Sequence, residues 1–548
     1  MKTVERHSAA ANVRSYTDWL LLAGFCGFFF FFGLSYFGLV GADEPRYAQV
    51  AREMFARHDW ITPALAGKPW LEKPIFYYWQ TILFYNIFGV SDWAARLPSA
   101  VNATILVVAA YLFLCRFRPG FHLDGALITA SAVGIVGFAR AASMDIALAT
   151  SFTVAMLAWF AWQESGRRFY LTIFYAALAV GTLAKGPIAP FLAALVIFLF
   201  AWSKGELLPL IGRTVWIPGL LLFCTIALPW YFAVQMKNAE FFRVFILQHN
   251  LARFGTDRYH HVRPFWFYIP IVVMGLLPWI VLVIAAVAET VRVWWTEKRK
   301  MLQSEDALNV FLVLWLVAPV LFFSLSQSKL PGYILPTLPA ATLLLAQYIR
   351  HHSHHDEQLS VAHIILHALV SASIPALVLL YIIGQNHAPS TRALLLAGIF
   401  VLVLAAAMIV TLVRSQGLHL LRFITLVPVV LAIAVALRLG APILDARLSA
   451  RPLANEIFRV ENGPLPVAVF KASREVEYGL HFYRNQFIAR YESGEIPAGE
   501  HVVVVPQSDH ELLANKLSGR RISYLGTFHP QALDYYWISA PGMMSMPH

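Results

Sequence analysis

Thirteen apolar windows recur along the chain, near residues 18–40, 93–115, 121–139, 143–162, 169–184, 186–203, 214–235, 267–290, 308–325, 332–349, 361–384, 393–413 and 421–441. A helix needs about 20 such residues to cross the hydrocarbon core. Inside lipid every backbone N–H and C=O must be satisfied within the protein, so windows of this kind are restricted to helices. The chain therefore reads as a polytopic α-helical membrane protein. Its composition, 59% hydrophobic and 13% charged, excludes a soluble multidomain protein. The first run, Trp19 to Val40, is longer than a signal-peptide core and lacks a small-residue cleavage site, so a retained first span is expected.

Lys and Arg in short loops set orientation. Arg116 and Arg118, Arg167 and Arg168, Lys204, Arg292 with Lys298, Arg299 and Lys300, Arg350 and Arg414 all fall on the side of the N-terminus, which makes that side cytoplasmic. An odd number of spans then puts residues 443–548 outside. There PVAVF (466–470), HVVVVP (501–506) and RISYLG (521–526) have the pattern of short buried strands, and EVEYGLHFY and SDHELLANKL that of helices, so a small soluble α/β domain is expected. Two units follow: 1–442, spanning the membrane, and 443–548. No internal repeat of the kind found in transporters built from two related halves is visible. The three cysteines, Cys26, Cys115 and Cys224, lie in or beside apolar runs and supply neither a disulfide framework nor a thiolate cluster. A net charge of +11 points to anionic partners, lipid head groups or phosphorylated substrates and not nucleic acid.

Two external loops break the positive-inside pattern. Residues 41–92 carry Arg46, Arg52, Arg57, Lys68 and Lys73; residues 236–266 carry Lys237, Arg243, Arg253, Arg258 and Arg263 with His249, His260 and His261. Either the loops are long enough to escape the bias, or the cations neutralise bound phosphate, for which Arg and Lys donors are suited. ADEPRYAQVAREMFAR has apolar residues at Tyr47, Val50, Ala51, Met54 and Phe55, one face of a helix lying at the membrane surface. Asp43 either caps that helix or faces a cavity at the exit of the first span and handles a polar substrate. In KPWLEKPIFYYWQ, Glu72 and Lys73 are adjacent and cannot face each other on a helix, so each needs its own partner. The aromatics Trp70, Phe76, Tyr77, Tyr78 and Trp79 most simply form an interfacial belt. Glu72 with His260 or His261 is a suitable donor set for a divalent ion such as zinc, although a histidine near a membrane surface is more often structural. QSKLPGYILPTLP puts Lys329 and Tyr333 around a Pro-Gly break, either a kinked span entry or part of a site.

In order, GADEPRYAQVAREM, KPWLEKPIFYYW, SDWAARLPSA, RPFWFY and SKLPGYILPTLP resemble the aminoarabinose transferase (ArnT) family, related to the protein O-mannosyltransferases, over about the first 340 residues. The resemblance implies a GT-C type membrane glycosyltransferase of the bacterial inner membrane. It implies transfer of 4-amino-4-deoxy-L-arabinose from undecaprenyl phosphate to a lipid A phosphate on the periplasmic face, conferring resistance to polymyxin and other cationic peptides. On motif position it makes Asp43, Lys73 and Asp145 catalytic. Arg46, Tyr47, Lys73, Arg258, Lys329 and Tyr333 would hold the donor phosphate, and Glu72, His260 and His261 a zinc ion. Two other readings stay open: a sister enzyme moving mannose or another sugar from a polyprenyl phosphate to a protein hydroxyl or another glycolipid, with Asp43 as a base, and a lipid-linked sugar flippase.

Overall fold

The computed structural model describes residues 16–252, 263–297, 301–302, 306–355, 359–385, 390–414, 418–461, 463–517 and 520–541. Each of the thirteen predicted windows meets a helix or a bent helix pair, but they are not equivalent. Eight helices are long and apolar enough to cross a membrane, and up to ten spans result if each of two bent pairs counts as one. The bent pairs are His122–Ser131 with Val133–Ala139, at 64°, and Phe265–Gly275 with Ile280–Thr296, at 116°. Their breaks meet: Val133 N donates to Leu277 O at 3.0 Å, which satisfies backbone that the bends release. Of the other three windows, Tyr16–Phe31 and Ile188–Lys204 are short apolar helices, and Arg168–Lys185 carries a charge at each end.

The first helix stops well before Val40. Gly33 adopts φ +70°, and the carbonyls of Leu34, Phe37 and Gly38 turn inward to accept hydrogen bonds from Arg96. Within this segment Leu34, Gly38 and Leu39 are buried in protein, whereas Phe32 and Tyr36 stay exposed.

Burial separates the centre of the bundle from its rim. In Asp145–Ser165, 89% of the most apolar window is buried, against 11% in Thr391–Val413. The central helix is rich in Ala, Ser and Thr, which lets neighbours approach closely where no hydrophobic force acts between helices. Thr150 Oγ1 donates to Asn102 O at 2.8 Å, and Trp159 Nε1 to Thr214 Oγ1 at 3.2 Å. Its N-terminal residue, Asp145, is thereby fixed at one end of the bundle.

Residues 41–92 fold over that same end as the helix Asp43–Arg57, a short hairpin of β1 (Ala64–Leu65) with β2 (Lys68–Pro69), and the helix Phe76–Phe88. The apolar face of Asp43–Arg57 is covered by protein: Tyr47, Val50, Ala51 and Met54 share a core with Tyr77, Tyr78, Ile82 and Tyr85. Tyr77 and Tyr78, expected in an interfacial belt, are thus core side chains, and Tyr77 Oη donates to Ala95 O at 2.7 Å. After Ser449 the chain forms a five-stranded sheet of order β4-β3-β5-β7-β6, with β3 (Val467–Val469), β4 (Ala489–Arg490), β5 (His501–Pro506), β6 (Ile522–Phe528) and β7 (Leu533–Ile538). Strand β3 runs parallel to β4 and β5, and the other pairs are antiparallel.

Candidate active site

Asp43 and Glu44 are adjacent carboxylates with opposite fates, since consecutive helix residues point about 100° apart. Glu44 is buried. Its Oε2 accepts from Arg96 Nη2 at 2.6 Å and Nε at 3.2 Å, and from Val40 N at 3.1 Å, while Oε1 accepts from Ala142 N at 3.2 Å. This pair ties the exit of the first helix to two spans. Asp43 caps nothing. Its side chain is 62% exposed and forms an ion pair with Arg46, one turn on.

Arg46 is held among rings: its guanidinium carbon lies 5.1 Å from the Trp70 ring centroid, 5.2 Å from Tyr47 and 5.5 Å from Tyr478. Tyr47 lies within electrostatic reach of Asp43, Arg46 and Asp145, and Arg46 within that of Glu72. Burial pushes the Tyr47 phenol up, Asp43 adds to the shift and Arg46 opposes it, so Tyr47 stays a neutral donor. Arg46 Nε, Trp70 Nε1 and Tyr78 Oη are buried donors with no hydrogen-bond partner among the described residues. The oxygens of a ligand could accept from such donors.

Asp145, with 21% of its side chain exposed, is set deeper than Asp43. It stands at a helix N-terminus, where a carboxylate is favoured, accepts from Ser143 Oγ at 2.9 Å, forms an ion pair with Lys185 and feels the charge of Lys73. Lys185 Nζ also lies 4.9 Å from the Tyr333 ring centroid. Gly332 crosses directly beside the acid: a Cβ there would come within 2.6 Å of the Asp145 carboxyl group. Gly332→Ala is therefore expected to push Asp145 off Lys185 and to lower turnover about 100-fold, the scale of a 1 Å misplacement. Initial rates of purified protein test this, and an alanine variant at the wild-type rate would remove Asp145 from the site.

Asp43, Arg46, Tyr47, Glu72, Lys73, Asp145 and Tyr333 thus collect at one end of the bundle. Lys329 turns aside: its ammonium is buried against the Ser326 carbonyl, and burial pulls it below the usual lysine range. Arg258, His260 and His261 lie outside the described residues. Among the described residues no group of three His, Cys, Asp or Glu side chains is placed to hold a metal ion; of the expected ligands Glu72 alone is described. Lys185 escaped the sequence analysis because it sits between two apolar windows, where it passes for a loop charge, yet an ionisable residue between spans is itself a signal.

The helix Arg474–Arg484 packs against Asp43–Arg57. Arg52 Nη1 donates to Phe482 O at 2.9 Å, and buried His481 lies beside Glu53. Burial pulls the His481 imidazole below its ordinary value of 6.5. A folded pKa below the unfolded one means that stability is complete above pH 6.5 and declines as pH falls through 6.5, because the unfolded chain takes the proton first. The melting temperature of detergent-solubilised protein is expected to drop between pH 7.5 and 5.5, and His481→Gln to drop less. Equal drops would place the acid sensitivity elsewhere.

Residues 20–245 match the family model for dolichyl-phosphate-mannose-protein mannosyltransferase. An undecaprenyl phosphate-alpha-4-amino-4-deoxy-L-arabinose arabinosyl transferase of Pseudomonas aeruginosa strain UCBPP-PA14 is 35% identical over 336 residues, 60% of this chain and 58% of that protein. The enzyme of that name from Aeromonas hydrophila is 30% identical over 341 residues, 60% of this chain and 59% of that protein. These matches span less than two thirds of either relative. Among solved structures, ArnT from Cupriavidus metallidurans bound to undecaprenyl phosphate superposes with a TM-score of 0.75 at 21% identity, covering 96% of this chain and 99% of that one. Its apo form gives 0.74 at 22% identity, covering 95% and 98%. At that identity the superposition establishes the fold, a multi-pass membrane bundle carrying a C-terminal sheet. By sequence over three fifths of its length the chain is similar to these arabinosyl transferases, and by fold over nearly all of it to ArnT.

Proposed function

We propose that this protein transfers 4-amino-4-deoxy-L-arabinose from undecaprenyl phosphate to a phosphate of lipid A, at the periplasmic face of a Gram-negative inner membrane, and so confers resistance to polymyxin and other cationic peptides. In this reading the N-terminus is cytoplasmic, and the C-terminal unit, from 443 onward, is periplasmic. The observation that carries it is the gathering of Arg46, Lys73 and Lys185 with two carboxylates and unpartnered buried donors at one end of the bundle. That end would receive an anionic lipid-linked sugar whose carrier chain lies alongside the spans.

The chemistry is a single displacement. An acceptor phosphate oxygen forms a bond to the sugar's anomeric carbon as the bond from that carbon to the carrier phosphate breaks, which inverts the centre. The acceptor is already ionised near neutral pH, so a general base gains little. The departing phosphate collects negative charge where water is scarce, and Arg46 and Lys73 stabilise it, Arg46 with two hydrogen-bonding nitrogens and Lys73 as a point charge. Asp43, exposed toward the open side of the site, pairs with the sugar's ammonium and offsets positive charge on the ring. Asp145, held by Lys185 and Ser143, sets the far wall. Arg258, Lys329 and Tyr333 remain further candidates for donor phosphate, Lys329 only if its ammonium leaves the Ser326 carbonyl.

A divalent ion such as zinc would be held by Glu72 with His260 or His261 and would stabilise the two loops. Chelator treatment is expected to lower activity at least about tenfold, the usual scale for loss of metal-site order, with recovery on adding zinc. Indifference to chelation removes the ion.

The family-model match to protein mannosyltransferases supports a second reading, in which a hydroxyl is the acceptor and Asp43 its base. Purified protein offered undecaprenyl-linked aminoarabinose with either lipid A or a serine-containing peptide separates the two. Glycosylation of lipid A alone, with a rate flat through the carboxylate range, supports the first. Glycosylation of the peptide, with a rate falling as a carboxylate is protonated, supports the second.

A further inference from the structure

The C-terminal unit has no role in the mechanism above, yet it reaches the site. Its helix Arg474–Arg484 brings Tyr478 to the Arg46 guanidinium, 5.5 Å from carbon to ring centroid, as the third ring beside Trp70 and Tyr47. Rings are a favourable wall for a guanidinium that must stay charged while largely buried, and here 12% of the Arg46 side chain is exposed. The C-terminal unit, this helix included, is anchored by contacts that lie outside the site. Leu39 N donates to Tyr483 Oη at 2.6 Å, Arg451 Nη1 to Asp92 Oδ2 at 2.9 Å and Gly38 N to Asp445 Oδ1 at 2.7 Å. Asp92 and Arg96 sit one turn apart on the helix Asp92–Phe117, and Asp92 Oδ2 also accepts from Tyr483 Oη at 3.5 Å, so the element that braces the first loop also braces the C-terminal unit. Tyr478 is therefore placed by the same frame that places Asp43 and Arg46.

We propose that Tyr478 is a positioning residue: its ring fixes the Arg46 guanidinium toward Asp43 and toward the phosphate of the bound lipid carrier, so that the C-terminal domain completes the donor site. The inference rests on Arg46 as a ligand of the donor phosphate. Trp70 and Tyr47 come from the first loop itself, whereas Tyr478 is supplied across the chain, and loss of its ring leaves Arg46 open on that side. The effect falls on binding before it falls on chemistry, and it depends on the ring and not on the phenol hydroxyl.

The test uses the full-length protein in detergent, with undecaprenyl phosphate as the binding probe and melting temperature as a control. Tyr478→Phe is expected to bind within about twofold of wild type, and Tyr478→Ala about fivefold more weakly, the loss of one ring–cation contact. The KM for the donor should rise in step while kcat changes less. Unchanged affinity in Tyr478→Ala overturns the proposal, as does a loss in Tyr478→Phe equal to that in Tyr478→Ala. If Tyr478→Ala melts early, Tyr478→Leu, which keeps apolar bulk without a ring, decides: weakened binding at wild-type melting temperature supports the role, and full affinity refutes it. Failure of the wild type itself to bind the probe overturns the donor reading of Arg46, a result distinct from equal binding by wild type and Tyr478→Ala.

Discussion

Asp43→Asn is expected to lower the rate of sugar transfer by about 100- to 1000-fold, the range seen when one preorganised electrostatic partner of a transition state is removed. The amide keeps the size of the carboxylate and much of its hydrogen bonding, so packing should not suffer at a side chain that is 62% exposed. What disappears is the negative charge facing the sugar. Binding of bare undecaprenyl phosphate should be unchanged or tighter, because Arg46 loses a competing anion. That split between turnover and carrier binding separates a role in the reaction from a role in the fold. Near-normal turnover would take Asp43 out of the mechanism.

Arg96→Ala, on the helix Asp92–Phe117, is expected to be the single change that most destabilises the first loop, by about 3–5 kcal/mol, as for other buried ion pairs that lose one partner. Arg96 is fully buried and donates five hydrogen bonds: two to Glu44 and one each to the carbonyls of Leu34, Phe37 and Gly38. Its guanidinium also lies 4.5 Å from the centre of the Phe37 ring. Alanine would leave the Glu44 carboxylate and three carbonyls in a dry environment, and lysine cannot reproduce the planar fork of donors. Limited proteolysis should cut the Gly41 to Asp92 segment in the variant and spare it in the wild type, with a lower melting temperature. A variant with wild-type protease resistance would show that water or other groups replace the arginine.

The membrane fold was legible because hydrocarbon leaves the backbone so few solutions. Each apolar window marks a helix or a bent helix pair, and the first window overran its helix because a turn held by protein carbonyl contacts is as apolar as a span. Residues 32–40 illustrate this: nothing in their hydropathy distinguishes a span from a turn whose carbonyls are held by Arg96. Tyr77 and Tyr78 were misassigned for the same reason, since an aromatic run has one appearance at an interface and in a core. At the site, Asp43, Glu72 and Lys73 stood out as charges crowded among prolines and aromatics, and Asp145 through resemblance. Lys185 and Arg96 did not, because the partner that gives each its meaning is distant in sequence. Tyr478 was out of reach for that reason: only folding sets it beside Arg46.

Lipid A mass tests the central claim most directly. Wild type and Asp43→Asn would be expressed in a Gram-negative strain that makes undecaprenyl-linked aminoarabinose but lacks its own transferase, and the lipid A weighed by mass spectrometry. A gain of one aminopentose with wild type alone is the predicted result. Unmodified lipid A in both strains, with the donor present and the protein in the membrane, would contradict it and favour a different acceptor.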